Sequence, residues 1–338
     1  MTVSGVVRNS QARGPAPPRP RVRESVDVII PFNGTPWQFA ELVARMRRLQ
    51  LGPDDSLTVV DNSRRGARSA SMDQWPIRIV TAPERQSSYY ARNRGVSVGS
   101  GSWLLFLDAD VDPIPDLIDR YLAARPKEGS GFLVGSVQDI RSAEGEKESI
   151  TSRYSRLRRL IDQTNTLQMR RPYAKTANCA VRRAAFEEVR GFANAVRSGG
   201  DADLCLRLQE AGWGFELRPG AVVRHCSRGS LGGLLEQRSR HGAGAEWLES
   251  RYPGFIGSRQ GPVALGRHIV GGAARSVLSY VRRDIDAAVV ELLDPISNAA
   301  FEVGRRLPNA AWREHPALVL AGVRRWMVAR RVALGVRK

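Results

Sequence analysis

Cysteine is scarce. Three residues (Cys179, Cys205, Cys226) in a chain of 338 are too few, and odd in number, for a disulfide framework. Lysine is nearly absent, with four residues against 48 arginines. No run reaches about 18 apolar residues, which argues against a helix that spans a bilayer. The first residues hold arginine and proline but no apolar segment before a cleavage site, so no secretory leader is expected. His225 and Cys226 are adjacent and lack partners at ligand spacing, which excludes a Cys/His zinc site. There is no G-x-S-x-G elbow, no Walker loop and no dinucleotide fingerprint. Common hydrolases, P-loop NTPases, kinases and dinucleotide oxidoreductases leave the front rank. These absences together predict a cytoplasmic protein.

What is present is apolar patterning and positive charge. At 42% hydrophobic residues the chain can bury a sizeable core. Its net charge is +18, and the excess sits at the ends: +4 over 1–24 and +8 over 256–338. Residues 1–24, rich in Pro, Gly and Arg, read as a disordered arm. From Ser25 to 255 short apolar runs alternate with amphipathic segments. Strands are expected at Val26–Ile30, Leu57–Val60, Ile77–Val80 and Trp103–Leu107, with helices at Trp37–Leu49 and Ser88–Val98 between them. A long helix is expected over Ser152–Met169, a strand over Thr176–Arg183, a helix over Ala202–Ala211 and a last strand over Ala221–Val223. This alternation predicts an α/β fold with a largely parallel sheet, whose ligands bind beyond the strands' carboxyl ends.

Two segments suggest chemistry. In WLLFLDADVDP (103–113) an apolar strand runs into Asp108 and Asp110. Spaced by two, they point to one side of an extended backbone and suit Mg²⁺ or Mn²⁺ bridging to a diphosphate. A solvated acidic turn is the plain alternative. In SGGDADLCLRL (198–208) Asp201 and Asp203 open a helix behind two glycines. A helix N-terminus favours a carboxylate anion, which suits a base, although Asp is equally a preferred cap.

The ordered set VDVIIPFNG (26–34), LTVVDNS (57–63), SSYYARNRGVSVGSGSWLLFLDADVDP (87–113), TANCAVRRAAFEEVRGF (176–192), GGDADLCLRLQEAGW (199–213) and AVVRH (221–225) resembles the inverting glycosyltransferases of family 2, which have the GT-A fold. The resemblance covers 25–250. It implies a nucleoside-diphosphate sugar donor, with Pro31 and Asp61 at the base, Arg92 near the base or diphosphate and Asp108 on the ribose. Asp110 would hold the divalent metal, with His225 as a further metal ligand or diphosphate contact, and Asp201 would be the general base for a glycan or lipid-linked acceptor of cell-envelope or polysaccharide assembly. Asn178, Asp203, Arg238 and Arg240 are candidate diphosphate or acceptor contacts; the last two lie in EQRSRHGAG (236–244), which loosely resembles a basic motif of some members. One departure is Gly200, where the family usually has Glu before the base.

Residues 256–338 fall outside the resemblance and read as a basic amphipathic helical region. One stripe runs through Val270, Ala273, Val277 and Val281, and ALVLAGVRRWMVARRVALGV (317–336) interrupts apolar runs with arginine pairs. Peripheral attachment to the anionic inner face of the cell membrane is expected, against packing on the catalytic domain or a dimer face. Two other functions compete with transfer: a non-catalytic relative, hinted by Gly200, and a basic anion or nucleic-acid binder. The aromatics are scattered rather than gathered on a stacking platform, so no nucleic-acid partner is expected.

Overall fold

The computed structural model describes residues 23–63, 77–141, 148–225 and 229–310. The 317–336 segment and nearly all of the 1–24 arm lie outside these residues. Eight strands form one sheet: β1 (Val26–Phe32), β2 (Ser56–Asp61), β3 (Ile77–Thr81), β4 (Trp103–Leu107), β5 (Val111–Pro113), β6 (Ser130–Asp139), β7 (Asn178–Arg182) and β8 (Gly214–His225). Their spatial order is β3-β2-β1-β4-β7-β6-β8-β5. The first four in that order are parallel, and β6 pairs in parallel with β8, while β7 and β5 run against their neighbours.

The fully apolar β4 is buried along its whole length, as a central strand covered on both faces must be. One cluster, with Phe39, Leu42 and Met46 of α1 (Pro36–Met46), covers one face. The other is covered by Tyr89 and Ala91 of α2 (Ser88–Val96) together with Phe186, Phe192 and Leu204. Thr35 starts α1 with a capping box shared with Gln38, and Ser87 caps α2. β1 continues past Pro31 to Phe32. Its pairing with β4 ends at Ile29, so the N–H that Pro31 lacks is not needed on that side.

The long helix expected at 152–169 is two pieces. After α3 (Leu117–Leu122) and β6, α4 (Ile150–Leu157) ends near Arg159, which adopts a left-handed φ of 49°, and α5 (Thr164–Leu167) restarts the helix. The Asp162 carboxylate accepts from the Thr164 backbone and hydroxyl, and Lys175 Nζ donates to the carbonyls of Leu160 and Asp162. These local bonds compete with helix continuation.

Past α6 (Arg183–Glu188) and α7 (Gly200–Glu210), the C-terminal part is three long helices: α8 (Leu231–Arg251), α9 (Pro262–Val281) and α10 (Ile285–Gly304). α10 docks on α4 and α8, where Val289 and Leu293 join Tyr154 and Leu234 in a small core. α8 and α10 touch at their backbones. A Cβ on Gly242 would lie 1.9 Å from the Phe301 carbonyl oxygen, and one on Gly304 1.9 Å from that of Ser239. These contacts cross the boundary expected at 255.

Candidate active site

The register of three strands builds the centre of the site. β5 sets Val111 opposite His225 at the end of β8, and β6 sets Asp139 opposite the same histidine. His225 Nε2 therefore lies 3.5 Å from Asp110 Oδ2, and its Nδ1 3.3 Å from Asp139 Oδ1. Two carboxylates outweigh the burial that would lower it, and the imidazole is raised to about 10. Burial pushes Asp110 up, but His225 outweighs it and the net direction is down. Asp110 is 67% exposed and open to the cleft, whereas Asp139 is buried, with Oδ2 unpartnered among the described residues. Arg45 of α1 donates to the Ala109 carbonyl at 2.6 Å, and Arg48, in the turn after that helix, pairs with Asp112, so the acidic turn is held at both ends.

Asp108 is ion-paired to Arg92, itself buried and placed over the Tyr89 ring. Burial raises Asp108, Arg92 opposes this, and the charges of Asp110 and Asp201 add to the rise. Asp201, on the first turn of α7, is near enough for its charge to act on Asp108. Gly199 begins that helix with φ 81°, a left-handed backbone that glycine adopts without strain. Burial raises the Asp201 carboxyl; the Ala202 N–H at 3.1 Å, the Arg92 charge and the Tyr89 hydroxyl at 3.3 Å oppose it. A Cβ on Gly200 would come within 2.9 Å of the Tyr89 ring. Tyr89 fills the space beside the residue that departs from the family pattern.

Asp61 is buried at the end of β2, where its carboxylate accepts from the Ser63 N–H, and Pro31 sits next to it at the end of β1. Arg240 is exposed on α8, where its charge acts on Arg197 and His241. Burial, with the charges of Arg240, Arg238 and Lys175, pushes His241 down to about 3.

Three candidates are not brought to the cleft. The Asn178 amide is fully buried between strands, bonded to the Tyr121 hydroxyl and to the carbonyls of Ser136 and Ala221, which leaves it nothing to offer a ligand. Asp203 is buried in a cluster with Arg207, Arg251 and Tyr252 that ties α7 to the end of α8. Arg238 stacks on Phe301 of α10, 5.1 Å from the ring centre. Conversely, Tyr89, Asp139 and Lys175 reach the site unforeseen. Lys175 is pushed down to about 8 by burial, with Asp201 and Asp162 pulling it back up. Tyr89 lies in the 87–113 segment, but nothing there marks its part, and Asp139 and Lys175 lie outside the segments; only the strand register and the packing of Tyr89 against Gly200 reveal them.

Among the described residues no three His, Cys, Asp or Glu side chains are arranged to hold a metal by themselves. Asp110 and His225 supply one carboxylate and one imidazole. That set fits Mg²⁺ or Mn²⁺, which bind through one or two protein groups and take substrate phosphates and water for the rest.

Residues 27–190 match the glycosyl transferase family 2 model. The chain is 30% identical over 189 residues to the glycosyltransferase AglE of Haloferax volcanii, covering 54% of this chain and 59% of that protein. It is 26% identical over 306 residues to the pre-mycofactocin glycosyltransferase of Mycobacterium tuberculosis, covering 88% of this chain and 60% of that one. The chain thus spans about 60% of the length of these curated relatives. The mannosyltransferase PcManGT of Pyrobaculum calidifontis, solved with GDP-Man and Mn²⁺, superposes with a TM-score of 0.53 at 16% identity, covering 88% of this chain and 92% of that one. It shares the fold. The chain thus carries a glycosyl transferase family 2 domain over residues 27–190, on a GT-A fold.

Proposed function

We propose that the protein transfers a sugar from a nucleoside-diphosphate sugar to a hydroxyl of a glycan or lipid-linked acceptor, with inversion, in cell-envelope or polysaccharide assembly. The observation that carries this reading is the convergence of Asp108, Asp110, His225 and Asp201 within one another's electrostatic reach, with Asp110 in contact with His225. The solved mannosyltransferase with GDP-Man and Mn²⁺ supports the donor class.

In this reading Pro31 and Asp61 border the base, Asp108 takes the ribose and Arg92 holds Asp108 in place. Asp110 and His225 would hold the divalent ion, which supplies positive charge for the departing diphosphate when bound. Asp139 orients the His225 ring through Nδ1 and leaves Nε2 facing Asp110. Asp201 accepts the proton of the acceptor hydroxyl as its oxygen bonds to the anomeric carbon. On the opposite face the bond from that carbon to the β-phosphate oxygen breaks, and the diphosphate leaves with the electron pair. Direct displacement on one carboxylate inverts the centre.

A thermal-shift screen with UDP, GDP, dTDP and CDP, each with Mn²⁺ and with EDTA, tests the donor site. A specific nucleotide at 100 times its Kd adds roughly 2.7 kcal/mol of stability. One nucleotide should stabilise the wild type only with metal, and Asp110→Ala should abolish the response. No metal-dependent response to any of the four would return the weight to an anion binder or a non-catalytic relative.

A further inference from the structure

Helix α9 touches the rest of the molecule through a narrow strip. Gly272 is its only buried residue, set against Pro295 and the Glu291 carbonyl, while Ser276 and Ser279 bond to the Ala288 carbonyl and the Glu291 side chain. The opposite side carries Val263, Val270, Val277 and Val281, exposed to 68, 72, 62 and 74%, flanked by Leu278 and Tyr280. Their spacing of seven, seven and four residues puts the valines on one stripe of a helix. Surface helices normally turn such a stripe toward the core; this one turns it outward.

The charge on the helix itself is of one sign. Residues 262–283 hold four arginines and no aspartate or glutamate. Arg267, Arg275, Arg282 and Arg283 are all exposed. No helix of the described residues is long and apolar enough to cross a membrane. An apolar stripe bordered by arginines, with a tyrosine at its edge, has the make-up of a helix lying in the headgroup layer. A second copy fits less well. A two-fold contact through α9 would set these arginines against themselves, with no acidic residue on the helix to pair with them.

We propose that α9 docks the protein on an anionic lipid surface, the valine stripe entering the acyl boundary and the arginines meeting headgroup phosphates. The face stands apart from the transfer reaction, because vesicle binding is read without donor or acceptor. The test is flotation of the full chain with phosphatidylcholine vesicles, with and without phosphatidylglycerol. Wild type should float only with the anionic lipid. Val270→Asp/Val277→Asp should lower the bound fraction at least about tenfold, and Arg282→Glu/Arg283→Glu should weaken binding and flatten its salt dependence. Circular dichroism and melting temperature, expected unchanged because these side chains are exposed, check that both variants fold. If wild type ignores anionic vesicles, or the valine variant floats as well as wild type, the proposal is wrong. A dimer that the valine variant dissolves, without vesicle binding, assigns the face to a second copy instead.

Discussion

Asp201 carries the sharpest expectations at the residue scale. Its folded-state pKa is raised, so the fold favours the protonated form, and stability from this group is lost as pH climbs through that value. Asp201→Asn should therefore melt no lower than wild type at neutral pH. It should still bind the donor nucleotide while transfer falls about 10²–10⁴-fold. Single-turnover transfer alongside the thermal-shift assay separates these effects; wild-type transfer by the variant would remove Asp201 from the role of base. The acid limb of the pH–rate profile should lie above the ordinary aspartate range. The Tyr89 hydroxyl lowers the Asp201 pKa, so Tyr89→Phe should move that limb to higher pH. A limb that stays put or moves down would show that this hydrogen bond does not reach the base. For His225 the partner matters more than the ring itself. Asp139→Asn should weaken Mn²⁺ binding about 10–100-fold in an electron-paramagnetic-resonance titration with nucleoside diphosphate present. Unchanged affinity would reduce Asp139 to a strand-end carboxylate.

At the scale of elements, the site depends on where strands stop and how helices press together. β5 is three residues long, yet its pairing with β8 brings Asp110 to His225. The acidic motif was legible in the sequence because an apolar strand ends on it. Asp139 was not, since nothing in SGFLVGSVQD says which strand lies alongside. The broken helix at 158–163 was missed for a related reason: Lys175, distant in sequence, holds the carbonyls that interrupt it. The α8–α10 crossing gives a direct prediction. Gly242→Ala places a methyl on the Phe301 carbonyl, and moving the backbone should cost about 1–3 kcal/mol in urea unfolding. A variant as stable as wild type would mean that the two helices are less closely joined than their backbones indicate.

For the whole molecule, the question is whether the C-terminal helices are separable. Asn309 accepts from the N–H groups of Arg197 and Ser198 and donates to the Ser198 carbonyl, fastening the segment just ahead of Asp201. A Cβ on Gly244 of α8 would meet Ser198 from the other side. The loop that presents Asp201 is thus braced from outside the 27–190 match. A chain ending at 255 loses the Asn309 clamp and uncovers Tyr154 and Leu234. It should express poorly or melt well below the full chain, with transfer lost. Full stability and activity in that shortened chain would make the region the separable appendage that the sequence suggests.

The sequence by itself determined the sheet-and-helix alternation, the family resemblance and the order of Asp108, Asp110, Asp201 and His225. Apolar periodicity and short motifs are local, and local patterns survive without knowledge of the partners. Only the tertiary structure decided which polar residues line the cleft. Asp203 and Asn178 are consumed by buried partners and Arg238 stacks on Phe301, whereas Tyr89, Asp139 and Lys175 are delivered by distant elements. It also decided that α10 turns inward and α9 presents its valines outward, because an amphipathic stripe specifies that a face is apolar but not what will lie against it.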